Sequence, residues 1–263
     1  MAKNDFTLII LAGGDGTRMR PASSITPKPL LTTYDEPLLI RQAHQANKAG
    51  ISKILISTNP KDYVQIKKAL RLYGVKAKVL KNDKHKKGSL PALNFAIEKT
   101  STPKILMSFA DIYFFDNPFP KFMNINKHSL GISKAFDKRE LSLGGIVFLE
   151  ESVIQKIVEV PIKNNTKGYR WNGLALFDQI DRSNLKEFLK DNRLDSPEGD
   201  FFEYLRTKNT KKKMDFSGIE CSDFINVNRA DNLLVAAIYR LSEVKKDKRL
   251  LALANQARIQ ILK

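Results

Sequence analysis

The feature that most constrains this chain is at its start. A near-continuous apolar run, Phe6–Leu11, leads directly into Ala12-Gly13-Gly14-Asp15-Gly16-Thr17-Arg18. A short apolar run bounded by glycines reads as a strand buried on both faces, the kind found in the middle of a parallel sheet. The glycines that follow permit positive φ and let backbone N–H groups approach an anion with no Cβ in the way. The arginine at the end of the loop adds a forked cation suited to phosphate oxygens. The loop lacks the Gly-Lys-Ser or Gly-Lys-Thr ending of a Walker loop and the spacing of the dinucleotide fingerprint.

Strand and helix patterns alternate after that first strand. Pro37–Ala49 reads as a helix, with proline near its start and Gly50 past its end. Lys53–Ser57 is the next strand, Pro60–Tyr73 a helix closed by Gly74, Val75–Leu80 a strand, Pro91–Lys99 a helix, and Ile105–Phe109 a strand that ends near Asp111. This rhythm predicts an α/β fold with a doubly wound, mostly parallel sheet. Ligands in such sheets sit beyond the carboxyl ends of the strands, where Gly13–Arg18 and Asp111 both fall. The second half is richer in strands. Leu130–Ala135, Gly144–Leu149, Ile154–Val160 and Gly173–Phe177 are strand candidates, with helices at Asn184–Leu189, Phe201–Leu205, Arg229–Leu241 and Asp247–Ile261.

Composition removes several classes. One cysteine in 263 residues, Cys221, excludes an internal disulfide framework and a cysteine-rich zinc site, and it reads as a half-buried strand residue. His44, His85 and His128 are too far apart for a metal-binding spacing. No apolar stretch approaches the roughly 20 residues that would span a bilayer, and Met1–Phe6 runs straight into a strand without a signal peptide, so cytoplasmic residence is expected. The net charge of +17 is spread along the chain, with short clusters at Lys84–Lys87, Lys211–Lys213 and Lys245–Arg249. With no aromatic-interleaved basic motif beside them, these clusters do not make a nucleic-acid reader.

The continuation of the loop is more specific than the loop itself. Arg18-Met19-Arg20-Pro21 is followed by Thr26-Pro27-Lys28-Pro29-Leu30-Leu31. The whole of Leu11–Leu31 resembles the signature of the sugar-1-phosphate nucleotidyltransferase family, L-A-G-G-x-G-T-R-L-x-P…P-K-P-L. Tyr34-Asp35-Glu36-Pro37-Leu38 and Ala49–Ile56 look most like its glucose-1-phosphate thymidylyltransferase branch. NAD kinases and diacylglycerol kinases share Gly-Gly-Asp-Gly-Thr but lack the Arg-x-x-Pro and Pro-Lys-Pro segments at this spacing.

The resemblance implies a Rossmann-like nucleotidyltransferase domain over residues 1–235, with a strand-rich acceptor-binding half. Residues 236–263 would form a helical segment packed on that domain or on a second subunit of a homo-oligomer. The implied reaction joins a nucleoside triphosphate to a phosphomonoester, a sugar 1-phosphate, with release of pyrophosphate and with Mg²⁺ as cofactor. Leu11, Ala12, Gly13, Gly14, Gly16 and Thr17 would bind the nucleotide, while Arg18 and Lys28 neutralise its phosphates. Asp111, in Ser108-Phe109-Ala110-Asp111, would ligate the metal. The second metal ligand comes from a late segment of the form D-I-N-T-P-E-D-L, read here as Asn226-Val227-Asn228-Arg229-Ala230-Asp231-Asn232-Leu233, which puts Asn226 in the aspartate's place. Asp231 is an alternative carboxylate there.

Base recognition would involve Gly88, Ser89 and Asp83, the last standing where the thymidylyltransferase branch carries glutamine. A carboxylate accepts hydrogen bonds only, which favours the amino edge of guanine or cytosine. For the acceptor, the family's glycine strand, E-K-P and N-x-G segments correspond to Gly144-Gly145, Glu159-Val160-Pro161 and Asn172-Gly173. Gly145, Glu159, Asn172 and Gly173 are therefore expected to bind the sugar phosphate. Valine replaces the lysine that contacts the sugar phosphate, and Lys163 is the nearby substitute. That departure leaves two alternatives open, a cytidylyltransferase for a non-sugar phosphate such as phosphocholine, and a catalytically weak nucleotide-binding regulatory homologue.

Overall fold

In a computed structural model the described residues are 6–83, 88–143, 145–159, 167–190, 196–208 and 216–262. The glycine-loop half runs β1 (Phe6–Ala12), α1 (Leu38–Lys48), β2 (Lys53–Thr58), α2 (Tyr63–Leu72), β3 (Lys78–Lys81), α3 (Ser89–Ile97) and β4 (Lys104–Phe109). It continues through β5 (Ile112–Phe114), β6 (Ser129–Ser133), β7 (Ile146–Glu150), β8 (Val153–Val158), β9 (Tyr169–Asp178), α4 (Arg182–Lys190) and α5 (Glu198–Lys208). The last elements are β10 (Ser217–Glu220), β11 (Phe224–Asn226), α6 (Ala230–Lys245) and α7 (Lys248–Ile261).

β1 shows why the sheet is covered on both faces. Side chains alternate along a strand. Ile9 and Leu11 enter one apolar cluster with Leu90, Leu93 and Ile97 of α3 and with residues of α4 and α5. Phe6, Leu8, Ile10 and Ala12 enter the opposite cluster with Leu39, Ile40 and Ala43 of α1 and with Ile66 and Leu70 of α2. Each buried aliphatic side chain contributes roughly 1.5–3 kcal/mol, so this strand alone commits the chain to a two-faced α/β layer.

The sheet order is β3-β2-β1-β4-β9-β6-β10-β8-β7. β1, β2, β3 and β4 are parallel, the doubly wound half expected from the alternation. From β9 onward the sheet is mixed: β9 runs antiparallel to β4 and β6, β10 is parallel to β6, and β7 is antiparallel to both β8 and β9. Because β7 returns to β9, the acceptor-side strands curl round into a closed ring.

Local chemistry explains where elements begin later than the sequence pattern suggests. α2 starts at Tyr63 rather than Pro60 because Asn59 and Asp62 form a side-chain turn, with Asn59 Nδ2 donating to Asp62 Oδ2 and Asp62 N donating to Asn59 Oδ1. β3 starts at Lys78 because Gly74 takes a φ of 66° and Val75 N donates back to Leu70 O, closing the helix.

Two short strands give no periodic signal, yet they matter most for the site. β5 and β11 pair antiparallel, with Phe224 opposite Phe114, Ile225 opposite Tyr113 and Asn226 opposite Ile112. Val227 N then donates to Asp111 O at 2.8 Å. α6 and α7 pack on the same region, where Val235, Ala236, Tyr239 and Ala254 share a cluster with Met19, Leu31, Leu38, Tyr113 and Val227. Among the described residues no helix is long and apolar enough to cross a membrane.

Candidate active site

The loop after β1 folds down onto the Pro-Lys-Pro segment. Gly16 has a φ of 63°, and a Cβ placed on it would lie 3.2 Å from the Cβ atoms of both Lys28 and Ser23. Ser23 Oγ donates to Gly16 O at 2.6 Å. The prolines on either side of Lys28 set a 3-10 turn, Lys28–Leu30, in which Leu31 N donates to Lys28 O. The lysine is thereby held beneath the loop and pointed at the end of β4. Its Nζ lies 2.6 Å from Asp111 Oδ2 and 2.9 Å from Asn228 Oδ1.

Two cavities meet at this point. A cleft of about 340 Å³ is lined by Leu11–Met19, Lys28, Pro29, Gly88, Ser89, Ala92, Phe109–Asp111 and Asn228. A second pocket of about 810 Å³ is lined by Gly145, Glu159, Trp171, Gly173, Glu198 and Asn226, with Arg139, Glu140, Arg170, Phe224 and Arg258 around them. Arg18, Phe109, Asp111 and Asn228 border both. The expected nucleotide residues Leu11, Ala12, Gly13, Gly14, Gly16, Thr17, Gly88 and Ser89 all lie in the first cavity. Gly145, Glu159 and Gly173 lie in the second.

Three expectations come out differently. Asp83 projects into solvent, its side chain 76% exposed and, among the described residues, paired only with Lys81 at 3.9 Å, and it does not line the cleft. Asn172 is wholly buried. Its Oδ1 accepts from Leu174 N at 3.1 Å, and its amide fills the space where a Cβ on Gly131 would be. Alternation along β9 turns Trp171 and Gly173 into the pocket and Asn172 to the opposite face, so Asn172 is not available to an acceptor. Asn226 lines the second pocket, but it is Asn228, two residues on, that touches Lys28. Lys163, Val160 and Gly144 lie outside the described residues.

The Lys28 ammonium marks a position that suits a cation. An ammonium is held by one carboxylate oxygen and one amide oxygen that converge on it from two different chain segments. A magnesium ion uses one or two protein oxygens and takes its other ligands from water and substrate phosphates. Asp111 and Asn228 fit that role. Among the described residues no group of three or more histidine, cysteine or acidic side chains could form an all-protein metal cage.

The pocket also holds a carboxyl group that no sequence motif marks. Glu198 opens α5, accepts a hydrogen bond from Ser89 Oγ and lines the acceptor pocket. Burial, reinforced by the charges of Glu159, Asp111 and Asp200, pushes its carboxyl up to about 7. Glu159 is raised by burial too, against the opposing effect of a hydrogen bond from Gly199 N at 3.1 Å.

The pocket's far wall is a buried ion network. Arg258 of α7 reaches Glu140 at 2.7 Å and Asp223 at 2.5 Å, while Arg170 reaches Glu140 at 2.8 Å and lies 4.1 Å from the centre of the Phe224 ring. No motif announces this network, because its members are up to 118 positions apart.

Comparisons with known proteins bear on the fold and on the glycine-loop segment. Residues 8–123 match the model of the MobA-like NTP transferase domain. A mannose-1-phosphate guanyltransferase of Debaryomyces hansenii is 28% identical over 165 residues, covering 59% of this chain and 45% of that protein. The catalytic subunit beta of a Xenopus tropicalis mannose-1-phosphate guanylyltransferase is 28% identical over 58% of this chain and 44% of its own length. The chain thus spans less than half the length of these curated relatives. Among solved structures, a putative glucose-1-phosphate thymidylyltransferase from Bacillus anthracis superposes with a TM-score of 0.75 at 21% identity, covering 88% of this chain and 94% of that one. A CTP:phosphocholine cytidylyltransferase from Streptococcus pneumoniae superposes with a TM-score of 0.65 at 21% identity, covering 91% and 99%. Over residues 8–123, somewhat under half of its length, the chain is similar to the MobA-like NTP transferase domain.

Proposed function

We propose that the protein transfers a nucleoside monophosphate from a nucleoside triphosphate to a sugar 1-phosphate, with release of pyrophosphate. The observation that supports this most is the position of Lys28, Asp111 and Asn228 where the nucleotide cleft opens into the acceptor pocket. An acceptor phosphate oxygen there attacks the α-phosphorus in line, the bond to the β-phosphate bridging oxygen breaks, and pyrophosphate leaves with that electron pair. The attacking oxygen is already anionic, so no protein base is needed. Positioning and charge neutralisation then account for catalysis.

The glycine loop holds the triphosphate by its backbone N–H groups. Arg18, which borders both cavities, neutralises the nucleotide phosphates and faces the incoming acceptor. Lys28 supplies a mobile point charge for the oxygens that become more negative as the transition state forms. Mg²⁺ held by Asp111 and Asn228 would supply charge neutralisation shared between the two phosphates.

The relatives' names make guanylyl transfer to mannose 1-phosphate the first pair to try. The experiment is a matrix of five nucleoside triphosphates against mannose, glucose and N-acetylglucosamine 1-phosphates and phosphocholine, read by pyrophosphate release in Mg²⁺. Turnover with a sugar 1-phosphate is expected. Turnover with phosphocholine alone would replace the acceptor class, and none with any pair would overturn nucleotidyl transfer.

A further inference from the structure

Glu198 stands between the two substrate pockets. Its Oε1 accepts from Ser89 Oγ, on the nucleotide side, while its side chain lines the acceptor pocket. The next residue, Gly199, donates its N–H to Glu159 Oε1, and Glu159 lines the same pocket. The contact is too close for any side chain at 199, since a Cβ there would lie 2.3 Å from Glu159 Cγ. The first turn of α5 therefore holds two carboxyl groups in fixed relation, each with one oxygen already engaged. Among the described residues no hydrogen bond is made to Oε2 of either group, and both line a pocket.

We propose that Glu198 is an acceptor-reading residue, which with Glu159 takes hydrogen bonds from adjacent hydroxyl groups of a polyhydroxylated phosphomonoester, and which ties that recognition through Ser89 to the nucleotide side. The inference rests on the nucleotidyl-transfer reading above and adds the part of the acceptor that is read. Two carboxyl groups that line one pocket suit a pair of hydroxyl donors. A carboxyl pair drawn out of water gives such hydrogen bonds more weight than solvated carboxylates would. A site built to bind hydroxyls rejects analogues lacking them, because its own polar groups are then left unpaired.

The chain carries one tryptophan, and Trp171 lines this pocket in edge contact with Phe109 and Phe202. Its fluorescence therefore reports acceptor binding without turnover. Mannose 1-phosphate, glucose 1-phosphate, 2-deoxyglucose 1-phosphate and phosphocholine are titrated into wild type, Glu198→Gln and Ser89→Ala, each with and without GTP, and GTP affinity is measured separately.

We expect Glu198→Gln to weaken the sugar phosphate that wild type prefers by about tenfold or more, to leave GTP affinity within twofold, and to weaken a deoxy analogue less than its parent. Ser89→Ala should leave acceptor affinity without GTP within threefold while reducing the change that GTP brings. If wild type saturates with a sugar phosphate and Glu198→Gln binds it equally well, the role of Glu198 is overturned and nucleotidyl transfer stands. If wild type saturates only with phosphocholine, or with none of the four, the hydroxyl-bearing acceptor is itself overturned.

Discussion

Lys28 Nζ and Asp111 Oδ2 are 2.6 Å apart, although 83 positions separate the two residues in the chain. This contact joins the Pro-Lys-Pro segment to the end of β4. It predicts that Asp111→Ala abolishes pyrophosphate release while the circular dichroism spectrum and cooperative melt are retained. Full activity in that variant would sink the assignment.

Lys28→Met removes the charge but keeps the length of the side chain. Loss of one preorganised electrostatic group at a transferring centre costs about 10²–10³ in rate. We expect kcat to fall in that range in steady-state assays, with no loss of thermal stability beyond a few degrees. A fall below fivefold would place Lys28 outside the reacting centre.

The two asparagines can be separated by parallel substitution. Asn228→Ala should lower kcat at least about thirtyfold and raise the Mg²⁺ concentration needed for half-maximal rate. Asn226→Ala should change the Mg²⁺ requirement less than threefold. The reverse pattern would restore the residue that the motif alignment favours.

Glu198 also makes stability depend on pH with a definite sign. Its folded carboxyl is raised from 4.5 to about 7, so between those values the folded state holds a proton that the unfolded chain has released. Stability from this group is therefore full below the unfolded value, falls as pH rises toward 7, and is level above it. At about 1.4 kcal/mol for each pH unit, the change is on the order of 2–3 kcal/mol. Urea melts should show wild type losing that amount relative to Glu198→Gln between about pH 5 and pH 8. A constant difference across the range would refute it.

Arg258→Ala should destabilise the chain by about 3–5 kcal/mol, because it leaves Glu140 buried without its main partner. Since Arg258 also lines the acceptor pocket, acceptor KM should rise before nucleotide KM does. A melt within a degree of wild type would show the network to be dispensable.

Much of this centre is legible in the sequence because the glycine loop, Arg18 and Lys28 lie within one stretch of fixed residue types. The parallel half of the sheet is legible for a related reason: its strands carry short apolar runs, and its first two helices are closed by Gly50 and Gly74. What the sequence hides is set by register. Asn226 and Asn228 are equivalent in composition, but the β5–β11 ribbon still bonds Val227 to Asp111, so Asn228 is the first residue free to turn toward Lys28. The same alternation that brings Trp171 and Gly173 into the pocket removes Asn172 from it. Glu198 carries no motif, and its role depends on α5 packing between Ser89 and Glu159.

The ribbon has a consequence for how the molecule is made. The segment that matches the transferase domain ends at residue 123, while the amide oxygen that completes the contacts of Lys28 arrives at Asn228. On a ribosome the phosphate loop, Lys28 and Asp111 emerge first, and β5 waits without a partner strand until more than a hundred further residues have been added. A nascent chain stopped before β11 would hold the loop that grips a nucleotide but not the whole centre that spends it. On the proposed function, activity would begin only late in synthesis, once the acceptor half has been made and β11 has docked.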